Sequence, residues 1–225
     1  MKRNQKQFMG NVKGNIEAFL KLREPNNRYA SFDYCFNYFR QFYKDNSIEQ
    51  LATNANMQNS CLQIASYLAS WGMYRGSSFL LKYKSITNFK GLIKGITEID
   101  NRVWTIDVDK YDNSMIQLLL NTKKTIKDLL GNENNPSDTL VSKIMMGVFG
   151  CVPAFDQLFR RGMGIYTFNK KSLEVIANFY NSNKSDIDGF HIQTIDFTTE
   201  KSTKYIYTKA KLIDMVGFIE GGGKP

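Results

Sequence analysis

The 225-residue chain is predicted to be mainly α-helical: one multi-helix domain with a small β element near its C-terminus. Three observations lead there. About seven or eight stretches carry apolar residues at helical spacing, against at most two short stretches with strand character. No internal repeat, low-complexity tract or linker divides the chain, so residues 1–225 read as one domain. The length is also sufficient to bury a substantial core without covalent staples.

A first helix is expected from Val12 to Leu22, ending before Pro25 because the residue preceding a proline avoids helical geometry. In the next helix Ser31 is the expected N-cap, and Phe32, Cys35, Phe36, Phe39 and Tyr43 share one face. Such a face packs a core or offers a platform for stacking bases, and core packing is the commoner use. The third helix, Ser60 to Leu81, is interrupted by WGMYRGSS, residues 71–78, where Gly72 and Gly76 flank Met73, Tyr74 and Arg75. Glycine inside a helix costs about 1 kcal/mol relative to alanine, so a break or a close backbone approach is expected there. Trp71, Tyr74, Arg75, Ser77 and Ser78 offer nucleic acid a stacking surface, a cation and two hydroxyls. The competing use of the segment is a helix crossing that needs small residues.

A shorter helix covers Phe89 to Ile96. In VWTIDVDKYD, Asp107, Asp109 and Asp112 are spaced closely enough for a divalent cation but lack the glycine-turned loop of a calcium site. A turn leading into a helix from Ser114 to Leu130 is the expectation. GNENNPSD then forms a polar loop, and a helix from Thr139 to Phe149 follows. Another helix, Lys170 to Tyr180, exposes a basic side. FHIQTIDFTT and STKYIYT are read as a hairpin or an extended pair. A final helix, Lys209 to Glu220, leaves residues 221–225 as a flexible tail.

The net charge of +9 concentrates polyanions such as nucleic acid, although the lysines are scattered and the fold must assemble any binding surface. The basic N-terminus lacks the apolar core of a signal peptide and no stretch has the unbroken apolar length of a membrane span, so a cytoplasmic protein without membrane contact is expected. Cys35, Cys61 and Cys151 are odd in number, widely spaced and set in apolar sequence, as core thiols are. His191 is the single histidine and is distant in sequence from any serine or cysteine in a sharp turn, which argues against a triad. There is no glycine-rich phosphate loop before a helix and no zinc-deaminase signature, so no cofactor is expected. The remaining chemistry is what one carboxylate and a positioned water can perform.

TLVSKIMMGVFGCVPAFD, Thr139 to Asp156, resembles the segment of the helix-hairpin-helix DNA glycosylase superfamily that leads into the catalytic aspartate. The shared elements are Thr139 at the helix start, Gly150 at its end, Pro153 three residues before the aspartate, and Asp156 opening the next helix. The resemblance covers under a tenth of the chain. It implies double-stranded DNA as partner, a flipped base, and Asp156 as the carboxylate that stabilises an oxocarbenium-like transition state and directs the attacking water. It also implies that the 71–78 break supplies wedge and pocket, and that Thr139, Lys143, Arg160 and Arg161 belong to the nucleic-acid-binding surface. NNPSD stands where the superfamily carries its phosphate-gripping Leu-Pro-Gly-x-Gly turn, and no lysine opens the second hairpin helix. Lys143 lies too far along to take that lysine's place, so the implied activity is base release without strand cutting.

Asp156 also has a purely structural reading, as an N-cap after a proline turn. The alternatives to an enzyme are a non-catalytic helical DNA- or RNA-binding module or a protein-interaction factor, in a bacterial defence or repair setting.

Overall fold

The computed structural model describes residues 11–131, 133 and 135–223. The basic start at residues 1–10 lies outside them. Among the described residues are eleven α-helices: α1 (Val12–Leu20), α2 (Ser31–Lys44), α3 (Met57–Ser70), α4 (Phe79–Tyr83), α5 (Lys90–Glu98), α6 (Asn113–Leu129), α7 (Asp138–Phe149), α8 (Gln157–Met163), α9 (Lys170–Ser182), α10 (Lys184–Asp188) and α11 (Lys209–Glu220). Strands β1 (Gln193–Ile195) and β2 (Ser202–Ile206) pair antiparallel, with an irregular register between Gln193 and Ile195. The mainly helical fold with one C-terminal hairpin is thus as predicted, and no described helix is long and apolar enough to cross a membrane.

Helices α7 and α11 are the centre of the fold. Residues 140–149 of α7 and 210–218 of α11 are buried throughout, as helices surrounded on every side must be. Every other helix contributes buried apolar side chains to the same core. The aromatic face of α2 is part of it: Phe32, Phe36 and Phe39 are buried, and Phe32 stacks on Phe36. These three rings pack the core and offer no surface to bases, while Tyr43 at the end of the same face is half-buried. Cys35, Cys61 and Cys151 are buried free thiols.

Two local expectations are corrected. Ser31 does not cap α2, because a 3₁₀ turn at Arg28–Ala30 runs straight into the helix and leaves the buried Ser31 Oγ without a partner among the described residues. The glycine run does not form a free tail. Gly221 and Gly223 are buried, and Gly222 and Gly223 donate N–H bonds back to Ile219 and Phe218. Residues 224–225 lie outside the described residues.

Close backbone crossing explains this ending. A methyl group on Gly162 of α8 would run into the Gly217 carbonyl of α11, and one on Gly221 into the Leu158 carbonyl. The aspartates of VWTIDVDKYD hold structure. Asp107 accepts from the Lys209 and Ala210 amides at the start of α11, at 2.7 and 2.9 Å, and Asp112 caps α6 through Met115 N–H.

At the start of α7, Asp138 pairs with Lys123 and Lys127 and accepts from Phe168 N–H. Burial raises the Asp138 carboxyl pKa, but these contacts outweigh it and hold the group below the usual carboxylate range. A carboxyl lowered on folding contributes stability above its unfolded value, and the contribution disappears as pH falls through the folded value. Asp138→Asn should therefore cost about 1 kcal/mol at neutral pH. Urea titrations from pH 7 downward should show that difference shrinking below about pH 4.

The crossing of α8 and α11 makes a second expectation. Gly162→Ala should destabilise by about 3 kcal/mol, because only backbone stands in the way of the added methyl. Gly91→Ala, whose new Cβ meets nothing within 4 Å, should stabilise by up to about 1 kcal/mol. Thermal melts of both variants check the pair.

Candidate functional site

The site is built where α7 ends. Gly150 adopts φ +68°, and any Cβ there would also press on Phe36 at 2.7 Å and Thr208 at 2.9 Å, so only glycine serves. The chain then turns through Pro153 and crosses between α7 and α11 without secondary structure, and its buried peptide groups need partners. Side chains supply them. Ala154 N–H donates to Asp214 Oδ1 at 3.0 Å, Phe155 N–H to Ser142 Oγ at 2.8 Å, and Thr139 Oγ1 to the Phe155 carbonyl at 2.9 Å.

Asp156 follows as the N-cap of α8. Its Oδ1 accepts Phe159 N–H at 3.0 Å, while Oδ2 accepts Lys143 Nζ at 3.0 Å. The Lys143 side chain is 3% exposed and the Asp156 side chain 19%, so only the carboxylate reaches solvent appreciably. Lys143 Nζ also lies 4.7 Å from the Trp71 ring centroid, so the first residue of the 71–78 break packs on the lysine that partners Asp156.

A second buried pair lies beside the first. Lys211 Nζ bonds Asp214 Oδ2 at 3.1 Å and is ringed by Phe19 at 4.6 Å, Phe32 at 4.8 Å and Trp71 at 5.8 Å. Burial pushes the Lys211 ammonium pKa down and the Asp214 carboxyl up, and each partner opposes the other's shift. The charges of Asp156 and Lys143 act on Asp214 too, so two lysines and two aspartates form one electrostatic unit around Trp71. Tyr67 Oη and Trp71 Nε1 are buried at this unit with no hydrogen-bond partner among the described residues. Tyr67 also walls a cavity of about 230 Å³, with Ser31, Tyr34, Gln63, Ser66 and the exposed Phe197.

The predicted nucleic-acid-binding residues divide. Arg75, Ser77 and Arg161 are exposed, although Arg161 also donates to the Gly221 carbonyl. Arg160 is half-buried and held by the Asp156 and Tyr166 carbonyls. Tyr74 packs half-buried against the core, where burial pushes its hydroxyl up to about 12. Lys143 is corrected from surface contact to buried partner of Asp156. Thr139 is engaged internally, and Ser78 caps α4 through Leu81 N–H at 3.3 Å. Sequence reasoning missed Lys211 and Asp214. Two opposite charges three residues apart inside the apolar run KAKLIDMVGFIE were the available signal.

No protein family, no curated protein and no solved structure matches this chain.

Removing one partner of a buried ion pair is costlier than replacing both, because the survivor is left as an unpaired charge. Asp214→Asn should cost about 3–5 kcal/mol, and adding Lys211→Met should restore most of it. Urea unfolding of the two single variants and the double variant checks this.

Proposed function

We propose that the protein is a DNA glycosylase-like hydrolase that releases a modified or damaged base and leaves an abasic site, with Asp156 as its carboxylate. The observation that supports this is the way Asp156 is held. A backbone amide and a buried lysine that packs on Trp71 fix both oxygens, yet the aspartate side chain keeps a solvent-facing edge. A carboxylate in that position stabilises positive charge growing on the deoxyribose. Each carboxylate oxygen retains a lone pair to orient water. The bond from C1′ to the base nitrogen breaks with its electron pair leaving on the base, the water oxygen adds to C1′, and the water's proton passes to the carboxylate, which returns it through solvent to the released base. The exposed Arg75 and Arg161 suit backbone phosphates.

The same contacts favour a second reading. A capped and ion-paired aspartate is also what a structural aspartate looks like, and the protein would then bind nucleic acid through its basic surface without altering it.

One assay separates them. Wild-type and Asp156→Asn protein are incubated with duplexes carrying a panel of damaged and modified bases, and alkali then cuts wherever a base was lost. Asparagine still caps α8, but it leaves the buried Lys143 without its carboxylate, so the variant is expected to lose about 3 kcal/mol of stability. Assayed at a temperature where its helical circular dichroism matches that of the wild type, it is expected to keep its DNA affinity while base release falls by at least about 10²-fold. Base release that survives in Asp156→Asn overturns the proposal, and so does a wild-type protein that binds every duplex and releases nothing.

A further inference from the structure

A larger cavity, of about 590 Å³, opens between the end of α2, the 104–110 turn, β2 and the start of α11. None of Tyr67, Trp71, Lys143, Asp156, Lys211 and Asp214 lines it, and it shares no lining residue with the smaller cavity. Its volume lies in the range of small-molecule sites.

Its charges are unequally committed. Asp107 is consumed by backbone amides at the head of α11. Asp109 and Asp188 both pair with Lys209, at 3.2 and 3.8 Å. Arg40 is spent on the Trp104 and Phe149 carbonyls. Among the described residues, Lys110 meets only the Thr105 carbonyl. Lys44 and Lys204 are exposed, and neither has a carboxylate in reach among the described residues. The uncommitted charge of the cavity is therefore positive.

Each of these free lysines accompanies a half-buried ring. Lys44 Nζ lies 5.9 Å from the Tyr43 centroid, and Lys204 Nζ lies 5.5 Å from the Tyr205 centroid. Tyr43 stacks on Trp104 with an interplanar angle of 1° and a centroid distance of 5.3 Å, so its orientation is set. Both rings line the cavity, one from α2 and one from β2. Flat aromatic surface and free ammonium groups together suit a ligand that is planar and anionic.

We propose that this cavity binds a nucleoside monophosphate, its base against Tyr43 and Tyr205 and its phosphate on Lys44 and Lys204. Isothermal titration of the full chain tests this with AMP, adenosine and inorganic phosphate as probes. AMP is expected to bind more tightly than either fragment. The exposed pair Lys44→Gln and Lys204→Gln should weaken AMP by about tenfold or more while leaving adenosine unchanged. Tyr205→Leu should weaken AMP and adenosine together. Asp156→Asn should bind AMP as the wild type does, so this site and the glycosylase reading fail separately. Absence of AMP binding, AMP binding that ignores both sets of substitutions, or phosphate binding as tightly as AMP overturns the proposal.

Discussion

Asp214 is the residue on which the rest of the arrangement hangs. From the interior of α11 its two oxygens accept from the Ala154 amide and from Lys211. One side chain therefore ties the irregular crossing after α7 to the central helix and neutralises a lysine that has no access to water. A buried peptide amide without a partner costs about 1–3 kcal/mol, and a buried ammonium without one costs more. Ser142 and Thr139 complete the same task from α7. With the crossing pinned, Asp156 falls at the head of α8 with its carboxylate turned to Lys143.

Close packing makes the pinning possible. Gly147 lets the Tyr67 ring lie against α7, since a Cβ there would come within 2.7 Å of it. Gly162 and Gly217 allow α8 and α11 to approach backbone to backbone. Such proximity excludes water from the charge cluster, which strengthens each pair and raises the cost of losing a partner. Buried ion pairs are weak evidence for stability, because apolar residues of similar size often do as well. Around Trp71 they accompany two polar atoms that are unpaired among the described residues, a combination typical of functional sites.

The hairpin is held by the same kind of device. Asp33, fully buried in α2, accepts from Ile195 N–H, from Tyr207 Oη at 2.5 Å and from Arg23, whose guanidinium also reaches the Gln193 carbonyl. An isolated two-stranded hairpin is marginal in water. Sewn to α2, it becomes a fixed wall that carries Phe197 to the smaller cavity and Lys204 and Tyr205 to the larger one.

Local properties were legible in the sequence. Helical periodicity marked α2 and both ends of α11, glycines marked the break at 71–78, and Pro153 with Asp156 marked the start of α8. Each depends on neighbours within a turn or two, where propensity, capping and periodicity act. The pairing of Lys143 with Asp156 was not legible. It joins a residue inside one helix to the cap of another, and on α7 a lysine surrounded by apolar residues reads equally as exposed or enclosed. The capping role withheld from Ser31 and the burial of Gly221 and Gly223 were likewise hidden. Both depend on what crosses those residues, a preceding 3₁₀ turn in one case and α8 in the other. Sequence alone determined the long helical segments, though not the short α10, and which aspartate opens α8; tertiary structure decided which charges are buried together, because burial is a property of crossings between elements remote in the chain.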